Sequence, residues 1–165
     1  MKTRLFAIGL WLMAFTSQAS AQEIRDVFRQ MPDSLMPYLT QNDRLDFIDF
    51  IDSNMKAEVK NRFGGSSAMT GLSDDSLSIR MSEALRVELF LLPLSEPMDS
   101  ITQVVAMVET FLTDSLHGES RVRYFSPEWK LLSGNPPLSE EQMKRIERKI
   151  MQNILKKDDE LVNKP

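Results

Sequence analysis

The apolar positions of this chain change period along its length. Ile24, Val27, Phe28 and Met31 recur at helical spacing, and Pro32 stops that short first helix. Pro37 interrupts Ser34 to Leu39, leaving a turn or two there. Asn42 or Asp43 stands where a helix cap belongs, ahead of a stronger helix predicted to run to about Asn61. Its apolar positions are Phe47, Ile48, Ile51, Met55 and Val59. Gly64-Gly65-Ser66-Ser67 is expected to end that helix in a flexible loop.

From Leu77 the period is two. Leu77, Ile79 and Met81 alternate with Ser78, Arg80 and Ser82, the signature of a half-buried strand. A tight turn near Glu83 leads into a second strand, Leu85 to Leu92, with Leu85, Val87, Leu89 and Leu91 on one face and Arg86 and Glu88 on the other. Pro93 and Pro97 are expected to bracket a loop. Ile101 to Leu112 is apolar on both faces at Val104, Val105, Met107 and Val108, which predicts a central strand. Thr113 to Glu119 turns the chain into a fourth strand, Arg121 to Phe125. Connections this short join antiparallel neighbours.

Pro136 and Pro137 break the chain before a last helix. Ser139 and Gln142 form a capping box, Leu138 and Met143 a hydrophobic staple, and Met143, Ile146, Ile150 and Ile154 the expected buried stripe. The pattern therefore predicts one α+β domain over residues 22–165: N-terminal helices, a four-stranded antiparallel meander and a C-terminal amphipathic helix, with the helices on one face and the other face open.

The first 21 residues read as a secretory signal peptide. Lys2 and Arg4 make a positive start, Leu5 to Phe15 is almost wholly apolar, and Ala19-Ser20-Ala21 is a small-x-small cleavage pattern, so the mature chain is expected to begin at Gln22. That apolar run is about half of the ~20 residues a membrane-spanning helix needs, so no stable membrane insertion is expected after cleavage. Loss of the leader lowers the 20 basic groups to 18 against 24 acidic ones, moving the net charge from −4 to −6. Such a field repels nucleic acid.

The chain has no cysteine and one histidine. Disulfides, thiolate metal sites, cysteine nucleophiles and lipoprotein anchoring at a cleavage-site cysteine are excluded, as is any site of several histidines. The expected destination is periplasmic or extracellular, without a lipid anchor.

Candidate chemistry falls to the carboxylates. Asp43, Asp46, Asp49 and Asp52 are spaced by three on the main helix, and adjacent pairs can share a hard cation such as calcium. A calcium site needs six to eight oxygens, which a rigid helix seldom supplies. The plainer reading makes Asp43 a cap, Asp46 and Asp49 a solvated face and Asp52 a partner of Lys56. Asp74 and Asp75, just before the first strand, can join such a metal site, but the plainer reading gives them a turn role. His117 is read as an exposed residue of a hairpin turn. The last helix carries Lys144, Arg145, Arg148 and Lys149, followed by Lys156 and Lys157; such a face can bind an anionic membrane surface or an acidic partner, but with Glu140, Glu141 and Glu147 interleaved it is read as the solvated face of a packed helix. Tyr124, Phe125, Trp129, Leu131 and Leu132, like the methionines, are read as core. No catalytic, cofactor-binding or metal-ligating residue is assigned, and no cofactor.

Some segments also carry a resemblance. Met31-Pro32-Asp33-Ser34-Leu35 with Pro37-Tyr38-Leu39, then Arg44-Leu45-Asp46, Ile48-Asp49-Phe50-Ile51-Asp52-Ser53 and Met55-Lys56-Ala57-Glu58-Val59, are the most specific. Leu72-Ser73-Asp74-Asp75, Ser82-Glu83, Leu91-Leu92-Pro93 and the Phe125 to Trp129 stretch fit as well. Over about residues 22 to 132 the chain resembles an uncharacterised family of small exported proteins from Bacteroidales-type bacteria, known only as a domain of unknown function. The resemblance implies export and an α+β domain, and brings no catalytic residues. The expected function is therefore a non-catalytic exported envelope protein that binds an unknown protein or envelope ligand, as an accessory or inhibitor-like module. The rival is a carboxylate-based hydrolase, with or without calcium.

Overall fold

The computed structural model describes residues 23–113 and 117–155; the segment expected to be a leader, residues 1–21, and Lys156 and Lys157 lie outside them. Helix α1 (Ile24–Arg29) and helix α2 (Gln41–Asp52) come first. Strands β1 (Glu58–Lys60), β2 (Ser66–Leu72), β3 (Ser76–Arg80), β4 (Leu85–Met98), β5 (Ile101–Leu112) and β6 (Gly118–Phe125) follow, then helix α3 (Glu140–Leu155). The six strands lie in sequence order in one antiparallel sheet. The α+β class and the meander stand, with six strands in place of four.

The main helix is shorter than its apolar spacing implies. Thr40, not Asn42 or Asp43, is the N-cap, and Asp43 completes a capping box by accepting from the Thr40 N–H at 2.7 Å. The helix ends at Asp52 because Asn54 adopts φ 56°, and the Met55 and Asn54 amides turn back onto the Phe50 and Ile51 carbonyls. Met55 is left 57% exposed. Val59 belongs to β1, and Gly64-Gly65-Ser66-Ser67 is a hairpin turn running into β2 rather than a flexible loop. Gly64 sits at φ 82°. Buried Asn61 shapes the turn by accepting from the Phe63 and Gly65 amides and donating to Ser67.

Pro93 and Pro97 do not mark a loop either. β4 continues to Met98 and turns at Asp99-Ser100, both with positive φ (47° and 69°), so that Met98 faces Ile101. β3 reaches only as far as Phe90, so both prolines lie where β4 has lost one neighbour and needs no N–H there.

Alternation divides the sheet into two faces. Leu77, Ile79, Val87, Leu89, Leu91, Val105 and Met107 pack with Ile24, Phe28 and Phe47 beneath α1 and α2. Phe90, Leu92, Val104, Ala106 and Val108 form a second core with Ile146 of α3. The helices therefore cover both faces, correcting the expectation of one open face. Arg44, 1% exposed, ties the N-terminal segments together, donating to the Met31 carbonyl at 2.6 Å and to Asp33 at 2.9 Å. Phe125 and Trp129 are core, and the Trp129 indole donates to the Val27 carbonyl at 2.8 Å; Leu131 is 65% exposed. Among the described residues no helix is long and apolar enough to cross a membrane.

Candidate functional site: the cleft beneath helix α3

Two strands and one helix build a polar concavity. β3 and β4 pair with Ser76 opposite Phe90 and Ser78 opposite Glu88, which puts all four on the α3 side of the sheet. The capping box at Ser139 and Gln142 fixes the start of α3, and Gln142 also donates to the Pro93 carbonyl at 2.8 Å. Met143, expected in the buried stripe, is instead 50% exposed; the buried positions are Ile146 and Asn153, with Ile150 packed beside them. This rotation aims Arg145 and Lys149 at the sheet. Between them lies a cavity of about 370 Å³.

Glu88 forms its floor. The residue is 3% exposed, so its carboxyl is one of few buried ionisable groups. Asn153 donates to one carboxyl oxygen at 3.1 Å, the Ser78 hydroxyl donates to the other, and Lys149 stands 3.7 Å from that second oxygen. Loss of hydration outweighs these partners and raises the Glu88 pKa above its ordinary value. Sequence reasoning placed Glu88 on the polar face of β4. What buries that face is a helix some fifty residues downstream, which local alternation does not reveal.

Arg145 closes one wall. Its guanidinium holds Asp75 by two bonds of 2.6 and 2.8 Å, reaches the Ser76 hydroxyl at 3.1 Å and lies over the Phe90 ring, 5.1 Å from its centre. The fork pulls the Asp75 pKa down to about 2. Arg148 and Gln152 line the mouth.

The other carboxylates do not converge. Asp46 and Asp49 are exposed on α2, and Asp52 pairs with Arg25 at 2.5 Å rather than with Lys56, whose partner is Glu58. Asp74 is exposed, and its carbonyl accepts the Ile24 amide at 3.0 Å. Among the described residues no three Asp, Glu or His side chains are close enough to hold a metal ion. His117 is exposed, and its carbonyl accepts from Thr113 at 3.0 Å. Of the basic face of α3, Lys144 pairs with Glu140 at 2.5 Å as a solvated residue, whereas Arg145 and Lys149 point inward.

The sequence matches the family described as "Protein of unknown function (DUF3256)" over residues 16–161. The chain belongs to that family. Its fold is similar to the structure of a domain of an uncharacterised protein from Porphyromonas gingivalis W83, at TM-score 0.55 and 23% identity, covering 78% of this chain and 68% of that one. The likeness is one of fold. No curated protein matches the sequence.

Proposed function

We propose that this is an exported, non-catalytic envelope protein that acts by binding, and that it binds in the cleft beneath α3. The observation that carries the reading is the cleft itself: a polar cavity over a buried carboxylate of shifted pKa, walled by a helix ion-paired to the sheet. The leader pattern at Ala19-Ser20-Ala21 supports export to the periplasm or beyond. Hydrolysis by paired carboxylates gains no support from the site. Both oxygens of Asp75 are held by Arg145, and both oxygens of Glu88 are held within the protein, so neither carboxyl is presented to a substrate.

The test is capture from a native envelope with tagged wild-type protein and with the double variant Arg148→Glu, Gln152→Trp. Both positions are exposed, so the fold is retained. Bound material present with the wild type and absent with the variant is the expected result. Equal recovery by both would remove the cleft from the account.

A further inference from the structure

Resting on the cleft as the binding site, we propose that its ligand is a small oxyanion, a carboxylate or a phosphate, gripped by Arg148 and Lys149, and that Glu88 competes with this ligand for Lys149. The cleft offers more hydrogen-bond donors than acceptors. Arg145 commits three of its five N–H donors and its charge to Asp75 and Ser76, so it belongs to the wall. Arg148 donates only its Nε, to the Lys144 carbonyl at 3.3 Å, and its two terminal nitrogens meet no carboxylate among the described residues. Lys149 is 3.7 Å from Glu88, close enough for attraction and too far for a hydrogen bond. Gln152 adds an amide at the mouth. These three side chains lie within little more than one turn of helix and line one cavity. On the acceptor side, the Glu88 oxygens are already taken by Asn153 and Ser78.

Charge points the same way. Arg145 cancels Asp75 and Lys149 cancels Glu88, which leaves Arg148 as a net positive charge at the mouth. The ligand that complements surplus N–H donors and one positive charge is an oxyanion, and a guanidinium beside an ammonium suits carboxylate and phosphate alike.

The same arrangement makes binding depend on pH. The charged groups around Glu88 on that side of the sheet are Arg145, Arg148 and Lys149 from α3, Arg80 from β3, Arg86 from β4 itself, and Asp75, which Arg145 holds ionised. Opposite Glu88 on β5 is the neutral Val108. Burial favours the protonated form of Glu88: when it takes up a proton, Lys149 is released toward the ligand and the cleft gains a positive charge.

Calorimetric titration of the full chain tests this, with inorganic phosphate and with succinate as separate probes at neutral pH. Sulfate, whose charge is constant, serves for the comparison between pH 5 and pH 8. We expect saturable binding of phosphate or succinate, with the stronger of the two identifying the ligand class, and a loss of about tenfold or more in Arg148→Ala. Sulfate should bind the wild type more tightly at pH 5, and the Glu88→Gln variant with equal affinity at both pH values. Absence of saturable binding by both probes, or an unchanged Arg148→Ala, overturns the anion assignment. If envelope capture still depends on Arg148 and Gln152 in that case, the cleft remains the binding site and only its ligand class is wrong.

Discussion

Lys149 stands 3.7 Å from the carboxylate of Glu88, inside the range of an ion pair and outside that of a hydrogen bond. The carboxylate is buried and its oxygens are satisfied by Asn153 and Ser78, so the lysine contributes charge more than structure. Burial of this kind makes the proton on Glu88 a variable of the fold as well as of binding.

Glu88→Ala should destabilise the protein by about 2–3 kcal/mol, because it leaves Asn153 and Lys149 facing an empty acceptor position. Glu88→Gln should cost far less at neutral pH. The folded pKa is raised above the ordinary 4.5, so the stabilisation linked to this proton is complete below that value and is lost as pH rises through the folded value. Urea denaturation from pH 4 to pH 8 should show that decline in the wild type and not in Glu88→Gln.

The Asp75–Arg145 fork behaves oppositely. Its carboxyl is more acidic when folded, shifted from 3.8 to about 2, so its contribution is present above about pH 4 and disappears as pH falls toward 2. The Asp75 side chain is half exposed, which limits its worth to about 1 kcal/mol. Asp75→Asn should lower stability by that amount at pH 7 and by nothing near pH 2. Chemical denaturation at the two pH values checks it.

Asn54→Gly should be neutral or stabilising by a few tenths of a kcal/mol, whereas Asn54→Val should cost about 1–2 kcal/mol, since φ 56° suits glycine and opposes a β-branched side chain. Thermal melts of the two variants separate these outcomes.

Gly118→Ala tests the seat of α3 on the sheet. A Cβ there would come within 2.9 Å of the Phe111 carbonyl and 3.3 Å of Ile154 on α3. The first atom is backbone and cannot step aside, so a loss of about 1–3 kcal/mol is expected, measured by equilibrium unfolding.

The elements legible in the sequence are those whose own side chains record their burial. Leu77, Ile79 and Met81, and the Val104 to Val108 run, alternate or persist as strands do, and Ser139 with Gln142 announces α3. β1 and most of β2 are not legible, because Glu58-Val59-Lys60 and Ser66-Ser67-Ala68 carry little apolar contrast at a sheet edge. The end of α2 rested on one residue, Asn54, which accepts a left-handed conformation while the apolar spacing runs on past it. Pro93 and Pro97 read as breakers until β3 is seen to stop short. The site was hidden for a related reason. Glu88, Arg145 and Lys149 all looked solvent-facing on their own elements, and only the pairing of α3 with β3 and β4 brings them together. The conspicuous aspartates of α2, by contrast, are held apart by the helix that made them periodic.

Those aspartates give a further test. Asp46 and Asp49 meet no third carboxylate, so millimolar calcium should leave the melting temperature unchanged, in the wild type and in Asp46→Asn, Asp49→Asn alike. A calcium-dependent rise that the double variant abolishes would restore the cation reading.

The central claim is where the molecule binds, and amide chemical-shift mapping during a titration with inorganic phosphate addresses it most directly. The account predicts saturable shifts confined to the cleft, at Ser76, Ser78, Arg148, Lys149 and Gln152, with α1 and α2 silent and the response lost in Arg148→Ala. Shifts scattered over the surface, or centred on residues away from α3, would contradict it.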